Sequence, residues 1–138
     1  MAPIPPKPRF PDDEMALTHI LVVSDLTSSV TWYRDILGAR FHSEYGGTSA
    51  VFEFNGSWIL LVTGGGPTAD KPDVTFAAPV TNSPINHSFT IRVGDCHQAY
   101  QLLLARGARF LTPPYAWEHE TRCFFRDPDG HLFEISQV

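Results

Sequence analysis

Two histidines and one carboxylate carry the chemistry this chain offers. His19 and His87 each open an apolar stretch, and Glu134 lies in a third, Leu132-Phe133-Glu134-Ile135. Two imidazoles and a carboxylate on one side of an ion leave coordination positions free for substrate, water or dioxygen. An ion held in this way polarises a substrate oxygen or lowers the pKa of a bound hydroxyl. Nitrogen and oxygen donors suit Fe(II), Mn(II), Zn(II), Co(II) or Ni(II), so one divalent metal is the expected cofactor. His19, His87 and Glu134 are its expected ligands.

An internal repeat is expected to bring them together. Thr18-His19-Ile20-Leu21-Val22-Val23 followed by Trp32-Tyr33-Arg34-Asp35-Ile36-Leu37-Gly38-Ala39-Arg40-Phe41 returns as Asn86-His87-Ser88-Phe89-Thr90-Ile91 followed by Tyr100-Gln101-Leu102-Leu103-Leu104-Ala105-Arg106-Gly107-Ala108-Arg109-Phe110. Ala-Arg-Phe follows the glycine in both copies. On this reading the two histidines are equivalent positions of one unit. Aligning Asn55-Gly56 with Asp129-Gly130 sets Leu60 opposite Glu134, which leaves three ligands where symmetry would allow four.

The elements follow from alternation, caps and turns. Residues 18–24 read as a strand, and Asp25 offers its carboxylate to the free amides of a helix start. That helix runs to about Leu37 and stops at Gly38. Strands follow near 39–45, 48–55 and 57–63, with the hairpin signal Asn55-Gly56 between the last two. The second half repeats the order: strand 86–93, cap Asp95, helix to Arg106, then strands 108–112, 121–127 and 131–137. The expected fold is α+β, two βαβββ modules whose curled mixed sheets surround a metal cleft. Residues 1–16 read as a Pro-rich arm and 17–138 as one domain, with modules 17–63 and 86–138. The linker 64–85, with Gly64-Gly65-Gly66, reads as a hinge.

Composition narrows the partners. A net charge of −5 without a Lys/Arg cluster argues against nucleic acid. No apolar run reaches the roughly 18 residues of a membrane span, and the start has no signal-peptide core. Cys96 and Cys123 are too few for a disulfide scaffold. A cytoplasmic protein with free thiols and a small-molecule substrate is expected.

The strings Trp32-Tyr33-Arg34-Asp35-Ile36-Leu37-Gly38 and Phe125-Arg126-Asp127-Pro128-Asp129-Gly130-His131-Leu132-Phe133-Glu134, with His19 and His87, resemble the vicinal oxygen chelate superfamily. That group includes glyoxalase I, extradiol ring-cleavage dioxygenases, fosfomycin-resistance transferases and bleomycin-binding proteins. The resemblance implies paired modules around a metal held by His19, His87 and Glu134, and a homodimer. Leu60 stands where glyoxalase I-like enzymes place Glu or Gln. The stretch before the last hairpin lacks the serine of a fosfomycin-transferase potassium loop, and the chain stops at Val138 without that branch's basic residue. Extradiol enzymes match in ligand set, but Phe124 replaces their tyrosine. Bleomycin-binding relatives generally lack the ligands.

The remaining candidates follow from strand parity and position. Trp58, Leu60 and Phe52 are expected to form an apolar cleft wall, as small-molecule sites do. Tyr115, Arg122 and Phe124 are expected to contact substrate, and His119 is the acid–base candidate. His42, His97 and His131 read as surface residues. The expected function is a divalent-metal enzyme chelating a small oxygenated substrate, with an oxygenase of the ring-cleavage kind and Fe(II) favoured. An isomerase or lyase, a drug-binding resistance protein of the bleomycin-binding type, and a relative with a decayed site are the alternatives.

Overall fold

The computed structural model describes residues 2–5 and 7–138; Met1 and Pro6, both in the expected arm, lie outside the described residues. The first module runs β1 (Thr18–Val23), α1 (Leu26–Asp35), β2 (Arg40–Tyr45), β3 (Ser49–Phe54) and β4 (Ser57–Thr63). The second runs β5 (Phe89–Arg92), α2 (Cys96–Arg106), β6 (Arg109–Phe110), β7 (Tyr115–Ala116), β8 (Thr121–Arg126) and β9 (Leu132–Gln137). Each module folds into one mixed sheet. The orders are β1-β4-β3-β2 and β5-β9-β8-β6, with β7 added on β8. The first strand of each pairs in parallel with the last. The duplicated α+β architecture is therefore as the sequence implied.

Both helices start on the expected chemistry, and the second also stops on it. Asp25 accepts from Ser28 N and Asp95 from Gln98 N. Gly107 ends α2 at φ of +105°, the left-handed region that L residues other than glycine avoid; α1 ends earlier than expected, with Ile36 as its C-cap, and Gly38 follows two residues on at φ of +81°. Helix α1 buries Leu26, Ser29, Trp32 and Tyr33, a spacing that lines one face. Its aromatic pair reaches both sheets. Tyr33 meets Phe52 at 6.0 Å, and Trp32 meets Phe133 at 5.7 Å between ring centres. The core thus lies between the two sheets, with α1 joining them.

Three expectations change. Strand 86–93 shrinks to β5, because its partner β9 begins at Leu132, beside Phe89's partner Phe133. His87 therefore precedes the strand. Strand 108–112 shrinks to two residues, and the Pro113-Pro114 loop carries the short β7. The glycine run is no hinge. Gly65 and Phe76 exchange backbone hydrogen bonds at 2.9 and 2.8 Å. Lys71 Nζ donates to Gly66 O and Val74 O and sits over the Phe76 ring. The segment is a closed loop, pinned at its neck.

Candidate functional site

His19 and His87 meet at the seam between the modules. Their ring centres are 6.0 Å apart, and both rings stand edge-on to Phe89, at 5.3 and 4.9 Å. Phe89 in turn stacks on Phe133 at 4.9 Å, which fixes this group to the core side of the second sheet. His19 is half-buried and His87 exposed. An ion bonded to one nitrogen of each ring at about 2.1 Å would leave the ring centres roughly 5–6 Å apart. The two imidazoles therefore fit a shared ion. They line a cleft of ≈ 500 Å³ with Ile20, Val80, Ile85 and His131.

Glu134 is not with them. Side chains alternate along β9: Phe133 and Ile135 enter the core, while Glu134 and Ser136 take the other face. Among the described residues no group of three His, Cys, Asp or Glu side chains is placed to hold an ion. The structure brings two of the three expected ligands together and sets the third on the far side of its sheet.

The repeat register explains the arrangement. Counted from the helix caps, His19 lies six residues before Asp25, and His87 lies eight before Asp95. Phe89, not His87, is the equivalent of His19: His19 pairs across to Ile59 as Phe89 pairs to Phe133. The match of Leu60 with Glu134 does hold. Leu60 faces Ile20, and Glu134 faces Thr90, each five residues before its cap.

Glu134 belongs to a second cluster, on the open face of the second sheet. It is 7% exposed. Its Oε1 accepts from Thr90 Oγ1 at 2.8 Å, and its Oε2 has Arg122 Nε at 3.8 Å, beyond hydrogen-bond reach. Arg122 donates to Glu120 at 3.0 Å and lies over the rings of Trp117 and Phe124, at 5.3 and 5.8 Å. Glu120 also holds Arg92 and the hydroxyl of Ser136. The Ser136 hydroxyl, Arg92 and Arg122 draw the Glu120 carboxyl below its usual range.

The other candidates divide. Tyr115, Arg122 and Phe124 share this open face, since Tyr115 pairs with Arg122 and Phe124 with Glu134. Phe52 is wholly buried opposite Ile59 and forms core, not cleft wall. Trp58 and Leu60 are half-buried on the outer face of the first sheet, where Trp58 meets His42 edge-on at 5.5 Å. His119 has its side chain 88% exposed beside Glu118, which removes it from both clusters. His131 is half-buried, and its Nε2 lies 2.8 Å from Val22 O. A carbonyl only accepts, so that nitrogen carries the proton and ties the last hairpin to β1. Trp117, Arg92 and Glu120 went unnoticed in the sequence. Alternation through 115/117 and 122/124 was the available signal.

Residues 16–135 match the model of the Glyoxalase/Bleomycin resistance protein/Dioxygenase superfamily. The chain belongs to that superfamily. It is 30% identical over 124 residues to a metallothiol transferase FosB of Lysinibacillus sphaericus, covering 87% of this chain and 80% of the relative. It is 26% identical over 125 residues to a glutathione transferase FosA of Serratia marcescens, covering 87% and 79%. A superfamily structure from Nocardioides shares the fold with a TM-score of 0.66 at 24% identity, over 91% of this chain and 84% of that one. No helix is long and apolar enough to cross a membrane among the described residues.

Proposed function

We propose that this superfamily member is a divalent-metal-dependent enzyme transferring a thiol to a small oxygenated molecule. The ion is held by His19 and His87. The observation that carries the reading is the imidazole pair, spaced for one ion and opening onto a cleft. The identity to transferases named FosB and FosA over most of both chains supports the reaction class. When bound, the ion supplies Lewis acidity at a substrate oxygen. Two protein nitrogens leave room for substrate and thiol together. Imidazole suits zinc, iron, cobalt and nickel alike, so Fe(II) has no special claim.

The ring-cleavage subtype loses its supports. His119 stands in solvent, and Phe124 lacks the hydroxyl that would orient a reacting oxygen. The missing serine loop still separates this chain from the fosfomycin branch, so fosfomycin is one trial substrate among several.

The test is elemental analysis of protein purified without added metal, with His19→Ala and His87→Ala beside it. Near-stoichiometric metal, lost in both variants, is expected. Loss of free glutathione or cysteine thiol in the presence of fosfomycin or another small epoxide then follows the reaction. Wild-type protein that takes up no divalent ion overturns the reading and leaves a binding protein.

A further inference from the structure

We propose that Arg109 and Arg126 form a binding site for a phosphate group, in a hollow against the end of α1 and apart from the histidine cleft. Three observations carry the inference.

The first is where unmatched positive charge collects. Within the two modules, Arg34, Arg40, Arg92 and Arg122 each pair with a carboxylate. Among the described residues, Arg106, Arg109 and Arg126 have no carboxylate within ion-pair reach. The chain carries a net charge of −5, so acids are not in short supply. Yet the three unmatched arginines share one neighbourhood. Arg109 and Arg126 are cross-strand partners, and Arg106 is the last residue of α2, just before them in space and sequence.

The second is the pairing itself. Residues directly opposite on paired strands have Cβ atoms about 4.5–5.5 Å apart, and like charges there repel. A dianion between the two guanidiniums offers oxygens to both forks and offsets both charges. A monocarboxylate offsets only one. Arg126 is already steadied for the task, since its Nη1 donates to Gly130 O at 3.1 Å. Arg106 donates to Ile36 O at 3.3 Å and holds the end of α1 beside the pair.

The third is room for a ligand. Both arginines line a hollow of ≈ 300 Å³ with Trp32, Ile36, Gly107 and Pro128. Asp127 lines it too, but its carboxylate is engaged by the Tyr33 hydroxyl and by the backbone of Asp129 and His131. The hollow shares no residue with the histidine cleft, and none of its residues belongs to the Glu134 cluster. Two cations at the rim and an apolar wall fit a phosphate, either free or carried as a monoester on a small apolar body.

The test is NMR titration of the full chain, stripped of metal by a chelator, at matched ionic strength. The ligands are inorganic phosphate, phenyl phosphate and acetate, followed through the arginine Nε–H signals. Phosphate is expected to shift Arg109 and Arg126 saturably and to bind at least tenfold more tightly than acetate. Phenyl phosphate binding more tightly than inorganic phosphate supports a monoester as the ligand, and the reverse order supports free phosphate. Arg109→Gln and Arg126→Gln should each weaken phosphate at least tenfold with unchanged circular dichroism. Arg40→Gln, on the other sheet, and His19→Ala should leave it unchanged. Acetate binding as tightly as phosphate, Arg109→Gln binding as wild type does, or loss of binding in His19→Ala would overturn the assignment. If wild-type protein takes up no metal but phosphate behaves as stated, the enzyme reading fails and this one stands.

Discussion

The Tyr33 hydroxyl donates to Asp127 Oδ2 at 2.6 Å, inside the seam between the modules. The other Asp127 oxygen accepts from the backbone of Asp129 and His131, while Asp129 accepts from Ser24 N. One helix side chain thus fastens the last hairpin, and through it β1, to the core. Burial, with Asp127 adding, raises the Tyr33 phenol well above its ordinary value. The raised value means that the fold is fully favoured below the unfolded tyrosine pKa of about 10 and loses that preference as pH climbs past it. Urea unfolding from pH 8 to 11 should show stability falling above pH 10. Tyr33→Phe should cost about 1–3 kcal/mol at pH 8, since it leaves Asp127 short of a donor. It should also flatten the alkaline decline. An unchanged slope in the variant would place the decline elsewhere.

Both thiols are expected to be inert in the native state. Cys96 and Cys123 are buried, and Cys96 Sγ touches the carbonyl of Ile135, the cross-strand partner of Cys123. Burial, with the neighbouring Cys96 adding, pushes the Cys123 thiol up to about 12. The thiolate is the reactive form. Native protein at pH 8 should therefore leave both cysteines unlabelled by a thiol reagent over minutes, and protein in urea should label both. Rapid native labelling would show that α2 opens readily from β8.

How far the site could be read from sequence turns on His19 and Phe89. Composition, caps and turn residues specify the modules, because each acts within a few residues. The face of a strand residue depends on parity, and a shift of one or two positions is invisible to a motif that simply begins with histidine. Counting back from Asp25 and Asp95 separates His19 from His87, and counting along β9 puts Glu134 opposite Phe133. What no count reveals is the seam. That Phe89 brings the two imidazoles together, and that Tyr33 finds Asp127, depends on how α1 packs between sheets far apart in sequence.

The loop neck offers a steric test. A Cβ on Gly64 would come within 2.7 Å of Phe76 O, closer than such atoms approach. Both partners are backbone, so neither side can yield cheaply. Gly64→Ala should cost about 1–3 kcal/mol, the range for overpacking. It should also break the Gly65–Phe76 bridge and expose the 66–75 segment to limited proteolysis. Gly65→Ala meets nothing within 4 Å and serves as the control. Equal cleavage of the two variants would mean that the neck does not hold the loop.

Pairing of two chains is the remaining expectation, and the outer face of the first sheet supports it. Ile20 is 49% exposed there, with Val22, Trp58 and Leu60 half-buried around it. Strands β1 and β5 end their sheets, each bonded along one edge to a single strand. Apolar faces and open strand edges are surfaces that proteins cover. Sedimentation should therefore show a dimer at micromolar concentration. Ile20→Glu puts a charge on that face without touching the core, so it should shift the protein towards monomer while preserving its circular dichroism. A wild-type monomer, or a dimer indifferent to Ile20→Glu, would mean that this face is left to solvent.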